Sequence, residues 1–255
     1  MNAVISAEWR KLRSVRSTRY VLASTVLALV AGSGVAALMT ADWDGASVAE
    51  RATFTGADPA ILAVPFAQFC LAALGALMIT TEYSSGTIRL SLAAVPRRHR
   101  LLAAKAAVIG AVAFVTGQVI ALAALLLGRL IAGDRPAPIA AFSSVPDGLP
   151  DAFAAGLSVT VIGLVGLGAG TMLRSTASAL VTIGTVMFVL PVFARFVFPA
   201  QGEAIASLLP TGLAPQIAGS ADDPALPPLA AFALLAAYAA AALAAAATAL
   251  TRRDA

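Results

Sequence analysis

Six apolar stretches constrain this chain more than any other feature. They cover about residues 20–39, 59–80, 106–132, 152–173, 177–198 and 227–250. Each is near or above the roughly 20 residues that cross a hydrocarbon core. A chain of 255 residues could be one soluble domain by length alone, but only 12% of it is charged. Soluble domains carry roughly 25%. Backbone groups in lipid must bond within their own segment, so each stretch is predicted to be a helix. The expectation is an all-α membrane protein forming one domain over 1–255. It has an N-terminal amphipathic segment over 1–19, a six-helix bundle over 20–250 and a short tail over 251–255. The first stretch follows a long basic segment and lacks an A-x-A exit, so it is expected to be a retained helix and not a removable signal. No C-terminal anchor or lipidation signal is recognised.

The basic residues orient the bundle. Six helices place the N-terminus, the second and fourth loops and the C-terminus on one side. That side holds Arg10, Lys11, Arg13, Arg16, Arg19, Arg89, Arg97, Arg98, Arg100, Lys105, Arg174, Arg252 and Arg253. The other holds Arg51 and Arg135, while Arg129 and Arg195 fall within spans. This asymmetry predicts both termini in the cytoplasm of a multi-pass cell-membrane protein. Ten of the 13 acids lie in the outer loops and agree with it. The net charge of +4 is then an orientation signal. No aromatic residues interleave with the bases as a nucleic-acid platform needs, so no nucleic-acid partner is expected.

The outer loops are rich in proline and glycine. The third, over 133–151, carries Pro136, Pro138, Pro146 and Pro150 and is predicted to be a short irregular connection. The fifth, over 199–226, is too apolar for a free loop and too broken to span. It fits either short helices dipping into the interface or a loop packed over the helix ends. The segment AVISAEWRKLRSVRSTR reads as an interfacial helix. Val4, Ile5, Trp9, Leu12 and Val15 would share its apolar face, with Arg10, Lys11, Arg13, Arg16 and Arg19 towards anionic lipid or solvent. It serves as an anchor, with or without contact to a cytoplasmic partner.

The second inner segment, ITTEYSSGTIRLSLAAVPRRHRLLAAK, is the most informative. Glu82 ends the second span, and Ser84, Ser85 and Gly86 break the helix. Ile88, Leu92 and Val95 then form a stripe at i, i+4, i+7, which predicts a short helix over 87–95. Pro96 stops it, and Arg97, Arg98 and Arg100 follow. Such a helix either transmits force across the membrane face or is a plain connector.

Within the spans, Arg129 and Arg195 are either functional or close enough to the surface to snorkel. Pro191 should kink the fifth span. Gly166 and Gly170 form a GxxxG pair for close packing against this chain or another copy. The lone Cys70 permits no intrachain disulfide and no thiolate metal site, and is expected to be a core residue. No phosphate-binding GxxxxGK[ST], HExxH or GxSxG occurs, and His99 is the single histidine. No span carries the paired acids of a proton or sodium relay. No metal site, and no energy source within the chain, is therefore expected.

The segment over 79–105 resembles the coupling region of permease subunits in type-2 ABC exporters. The family pattern is a Glu after the second span, a Gly-Thr, a Pro with basic residues, and a Lys opening the third span. Here these are Glu82, Gly86 and Thr87, Pro96 with Arg97 and Arg98, and Lys105. The opening AEWRKLRSVRSTRY is also similar to such permeases, particularly those of high-GC actinobacteria. The resemblance covers the whole topology, and its specific motif about 25 residues. It implies half of a transmembrane unit, as a homodimer or a pair with a similar permease. Two separate ATPase subunits would carry ATP and Mg on the cytoplasmic face, and this chain would have no ATPase site of its own. The helix over 87–95 would sit in a groove of the ATPase, with Glu82 and Arg89 near the moving part. The two would share a face only if the helix ran unbroken through Gly86. Other classes that fit the residues are a secondary transporter or channel and a non-transport membrane protein.

Overall fold

The computed structural model describes residues 1–95 and 97–252, the side chain of Leu92 apart. The described residues form helices and connecting turns, without strands. In chain order the helices are α1 (Asn2–Ser14), α2 (Arg16–Gly45), α3 (Val48–Arg51), α4 (Ala60–Ser84), α5 (Ile88–Ala94), α6 (Arg98–Ala132) and α7 (Val145–Leu173). There follow α8 (Thr176–Gly184), a π turn over Thr185–Val189, α9 (Leu190–Val197), α10 (Gly202–Leu208), α11 (Leu213–Ala218) and α12 (Pro228–Arg252). Six helical segments are long and apolar enough to cross a membrane: α2, α4, α6, α7, the run Thr176–Val197, and α12. The protein is thus a six-helix membrane bundle with a short N-terminal helix and a short helix between the second and third spans.

Several boundaries move outward from the sequence expectation. The fourth span starts at Val145 and not at about 152, taking in the last third or so of the loop expected to be irregular. Pro146 falls in the first turn, where its missing N–H is unneeded, and Asp147 sits favourably at the positive helix end. The Ser143 and Ser144 hydroxyls donate to the Asp147 carboxylate, which secures that start. The third span starts at Arg98 because no proline or glycine interrupts the good helix formers before Lys105. The fifth span carries the break expected near Pro191, as a π turn that leads to Pro191 in the first turn of α9. Proline cannot donate to the carbonyl four residues back, and a widened turn accommodates the lost bond.

The fifth loop forms two short helices, α10 and α11. Leu213 and Gln216 of α11 are buried against α7 and α12. Gln216 ties the segment together, donating to the Ser207 carbonyl (2.7 Å) and accepting from the Leu226 N–H (2.9 Å).

The centre of the bundle is α4 against α7. Of the apolar stretch in each, 61% is buried, against 17% in α12, so α12 lies at the edge. Small residues permit the approach. A Cβ on Gly166 would overlap the Ala72 carbonyl oxygen and lie 2.6 Å from the Ala72 Cα. One on Gly170 would lie 2.8 Å from the Ala76 Cα. The GxxxG pair therefore packs on α4 of the same chain. Gly168 faces Ala242 of α12, and Gly156 faces Gln118 of α6, so α7 contacts three neighbours through glycine.

Candidate functional site

At the end of the bundle where α4 stops and α6 starts, four charged side chains meet. Glu82 comes from the last turn of α4, Lys105 from the third turn of α6, and Glu8 and Lys11 from one face of α1. Lys105 Nζ donates to Glu8 Oε2 (2.7 Å), Glu82 Oε1 (2.8 Å) and the Met78 carbonyl (3.0 Å). Its three protons are thereby used. Lys11 Nζ donates to Glu8 Oε1 (2.8 Å), Glu82 Oε1 (2.8 Å) and Ser91 Oγ (3.3 Å). Lys105 is fully buried, Glu8 is 2% exposed and Glu82 is 7% exposed. Two cations and two anions cancel, which is how buried charge is tolerated. Burial would push the Lys11 amine down, but its hydrogen bonds to Glu8 and Glu82 outweigh this and raise its pKa. A raised lysine keeps its contribution below the ordinary value of 10.5 and loses it as pH climbs through the folded value. Lys11 thus stays charged through the neutral range.

The cluster alters the reading of α1. Its buried residues are Glu8 and Leu12, whereas Trp9 is 41% and Val15 46% exposed, so these two leave the predicted common face. Lys11 turns its amine to the cluster while its side chain stays half exposed, as the sequence leads one to expect of its face. Arg10 and Arg13 are exposed as expected. Sequence reasoning missed Glu8. Its signal was present: Ile5, Glu8 and Leu12 stand at i, i+3, i+7, so the acid lies in the apolar stripe. Apart from Asp254, Glu8 and Glu82 are also the only acids in the basic segments.

From Glu82 the chain leaves α4 through a turn at Ser85 and Gly86, with Gly86 at φ +70°. The short helix follows at Ile88–Ala94, with Thr87 before it and Val95 after. Ile88 is buried and holds its inner face, while Arg89 and Leu90 are exposed, Leu90 by 72%. The Arg89 side chain makes no hydrogen bond or ion pair among the described residues and does not join Glu82; the break at Gly86 separates their faces. The Leu92 side chain and Pro96, which complete the predicted stripe and its stop, lie outside the described residues, as does Arg253. Arg97 is exposed, and Arg98 donates to the Leu250 carbonyl at the end of α12. Gly86→Ala would force an L residue into the left-handed region. It is expected to lower stability by about 1 kcal/mol, read by thermal unfolding in detergent.

A groove of about 430 Å³ lies beside the cluster, between α1, α2, α4 and α5. It is lined by Glu8, Lys11, Leu77, Glu82, Thr87 and Leu90, among others. One atom there is unusual: Glu82 Oε2 is buried without a hydrogen-bond partner. Nearby, Thr80 and Thr176 share a hydroxyl hydrogen bond (2.7 Å), and the Arg174 guanidinium lies 5.0 Å from the Tyr83 ring centroid. These contacts bring the ends of α4, α7 and α8 together beside the charged centre.

At the opposite end, Arg129 Nη1 donates to the Phe142 carbonyl (2.9 Å), and Arg195 pairs with Glu203 (2.7 Å). Both reach polar groups at the bundle end, as snorkelling arginines do. Arg135 holds Asp44 through two hydrogen bonds (2.8 and 2.6 Å). Cys70 is buried, its Sγ 3.4 Å from Ser24 Oγ. Among the described residues no group of three or more His, Cys, Asp or Glu could hold a metal ion. Compared with known proteins, the chain matches no family model and no curated protein.

Proposed function

We propose that this chain is the membrane-spanning permease subunit of an ATP-binding cassette exporter, acting with a separate ATPase subunit and a second permease copy. In this reading both termini are cytoplasmic, ATP and Mg sit on the ATPase, and the cargo is a lipid, an antibiotic or another hydrophobic compound. The observation that carries it is the placement of α5. This short helix hangs from α4 by a glycine hinge, exposes Arg89 and Leu90, and is tied through Ser91 and Lys11 to the buried Glu82. A push on such a helix is passed to the ends of α1, α4 and α6 together, because one charge cluster joins them. The resemblance over 79–105 adds the identity of what pushes.

The test is purification of the chain in mild detergent with assays for a co-purifying ATPase and vanadate-sensitive turnover. A stoichiometric ATPase subunit is expected. Leu90→Asp, which changes an exposed side chain and leaves the cluster intact, should weaken its docking by about 2 kcal/mol, or roughly 30-fold. Arg89→Ala should lower stimulated turnover with the complex still assembled. A chain that purifies alone from membranes in which other such complexes survive would overturn the reading.

A further inference from the structure

Three of the six spans leave most of their surface uncovered. Of the apolar stretch, 28% is buried in α2, 22% in the fifth span and 17% in α12. Two of these faces suit lipid. Midway along α2 the exposed side chains are apolar, Val26, Leu27 and Val30 among them, and midway along α12 they are alanines such as Ala236 and Ala240.

The fifth span differs. Ser178, Thr182 and Thr185 stand on it at i, i+4 and i+7, so they form one stripe, and all three are exposed. Thr185 lies nine residues beyond the start of the span at Thr176, or about 14 Å along it. That is close to the middle of a hydrocarbon core roughly 30 Å thick.

The hydroxyls at that depth are unsatisfied. A threonine in a helix can return its hydroxyl to its own backbone. Thr25, Thr40, Thr160 and Thr171 do so, donating to the Leu22, Ala36, Gly156 and Leu167 carbonyls (2.7–3.0 Å). The Thr182 and Thr185 side chains make no hydrogen bond among the described residues. The Ser178 hydroxyl reaches only Ser175, at 3.3 Å. Lipid tails offer neither donor nor acceptor.

We propose that this stripe is the contact face for a second copy of the chain, the two fifth spans meeting about a two-fold axis along the membrane normal. A hydroxyl is both donor and acceptor, so a row of hydroxyls is complementary to itself. Copies that insert in the same orientation carry the row at the same depth, and the two-fold axis sets each Thr185 against its counterpart. Hydroxyls that bond across closely packed helices are one of the forces that join helices in lipid. Val181 and Val189, exposed beside the row, add apolar contact. The bare apolar faces of α2 and α12 need no such partner and stay with lipid. The proposal takes from the exporter reading only that a second copy is present.

The test is disulfide cross-linking of the full chain in native membranes. The wild type is the blank, because its one cysteine, Cys70, is buried. Thr185→Cys replaces an exposed side chain and leaves the packing of the bundle unchanged. Under mild oxidation it should give at least tenfold more disulfide-linked dimer than the wild type, and at least tenfold more than Ala240→Cys on the exposed face of α12. The near-isosteric double change Thr182→Val, Thr185→Val should weaken self-association in detergent about tenfold. No Thr185→Cys dimer above the blank, or as much dimer from Ala240→Cys, would overturn the proposal, as would unchanged association of the double valine variant. A co-purifying ATPase with no Thr185→Cys dimer overturns this face and leaves the exporter reading standing. A Thr185→Cys dimer from a chain that purifies without an ATPase supports this face and overturns that reading.

Discussion

Lys105→Met is expected to destabilise the folded chain by about 3–5 kcal/mol, the range for removing one partner of a buried ion pair. Methionine keeps much of the lysine volume and deletes the charge, so packing changes little. Glu8 and Glu82 then face each other with only Lys11 between them, and Lys11 is half exposed. The Met78 carbonyl also loses its donor. The reading is electrostatic and not steric, which the triple change Glu8→Gln, Glu82→Gln, Lys105→Met checks. With every buried charge gone, stability should recover most of the loss, because a well-packed neutral set often equals a buried ionic one. Lys11 can extend to water in that variant. Thermal unfolding in detergent measures each variant. A Lys105→Met chain within about 1 kcal/mol of the wild type would remove the cluster from any role in holding α1 to the bundle.

The second large effect is expected at the α4–α7 seam. Gly166→Val should cost about 3 kcal/mol, the upper end of overpacking in a soluble core. The obstacle is backbone of α4 and not the tip of a flexible side chain, so the helices must separate to admit a Cβ. Separation would also loosen the neighbouring contact, where Gly75 of α4 faces the backbone at Gly163 and Leu167 of α7. Gly34→Ala is the control. Gly34 lies within α2, and a Cβ there meets nothing within 4 Å. Replacing that helical glycine should be neutral or stabilising by up to ~1 kcal/mol. Equal behaviour of the two variants would mean that helix propensity, and not contact, governs these glycines.

The charge cluster shows how far residue patterns reach towards a site. Glu82 and Lys105 stand out in sequence as a Glu closing one span and a Lys opening the next. Their contact does not, because 23 residues and the break at Gly86 separate them. Glu8 is harder still. An acid in an apolar stripe is a mismatch at the level of one helix, and it becomes sensible only when α6 supplies a buried amine opposite it. The reverse holds for Arg89. Its place in the motif suggests a partner in Glu82, yet the left-handed Gly86 turns α5 away and leaves the arginine exposed.

The six spans and their membrane character follow from sequence alone. Apolar length and the need to satisfy backbone groups inside one segment are local properties, and each stretch decides them by itself. Which helices form the centre, which glycine meets which backbone, and which charges neutralise one another were decided only in the tertiary structure. Those outcomes depend on pairs of residues far apart in the chain, and a buried charge or a missing Cβ takes its meaning from the atom that faces it.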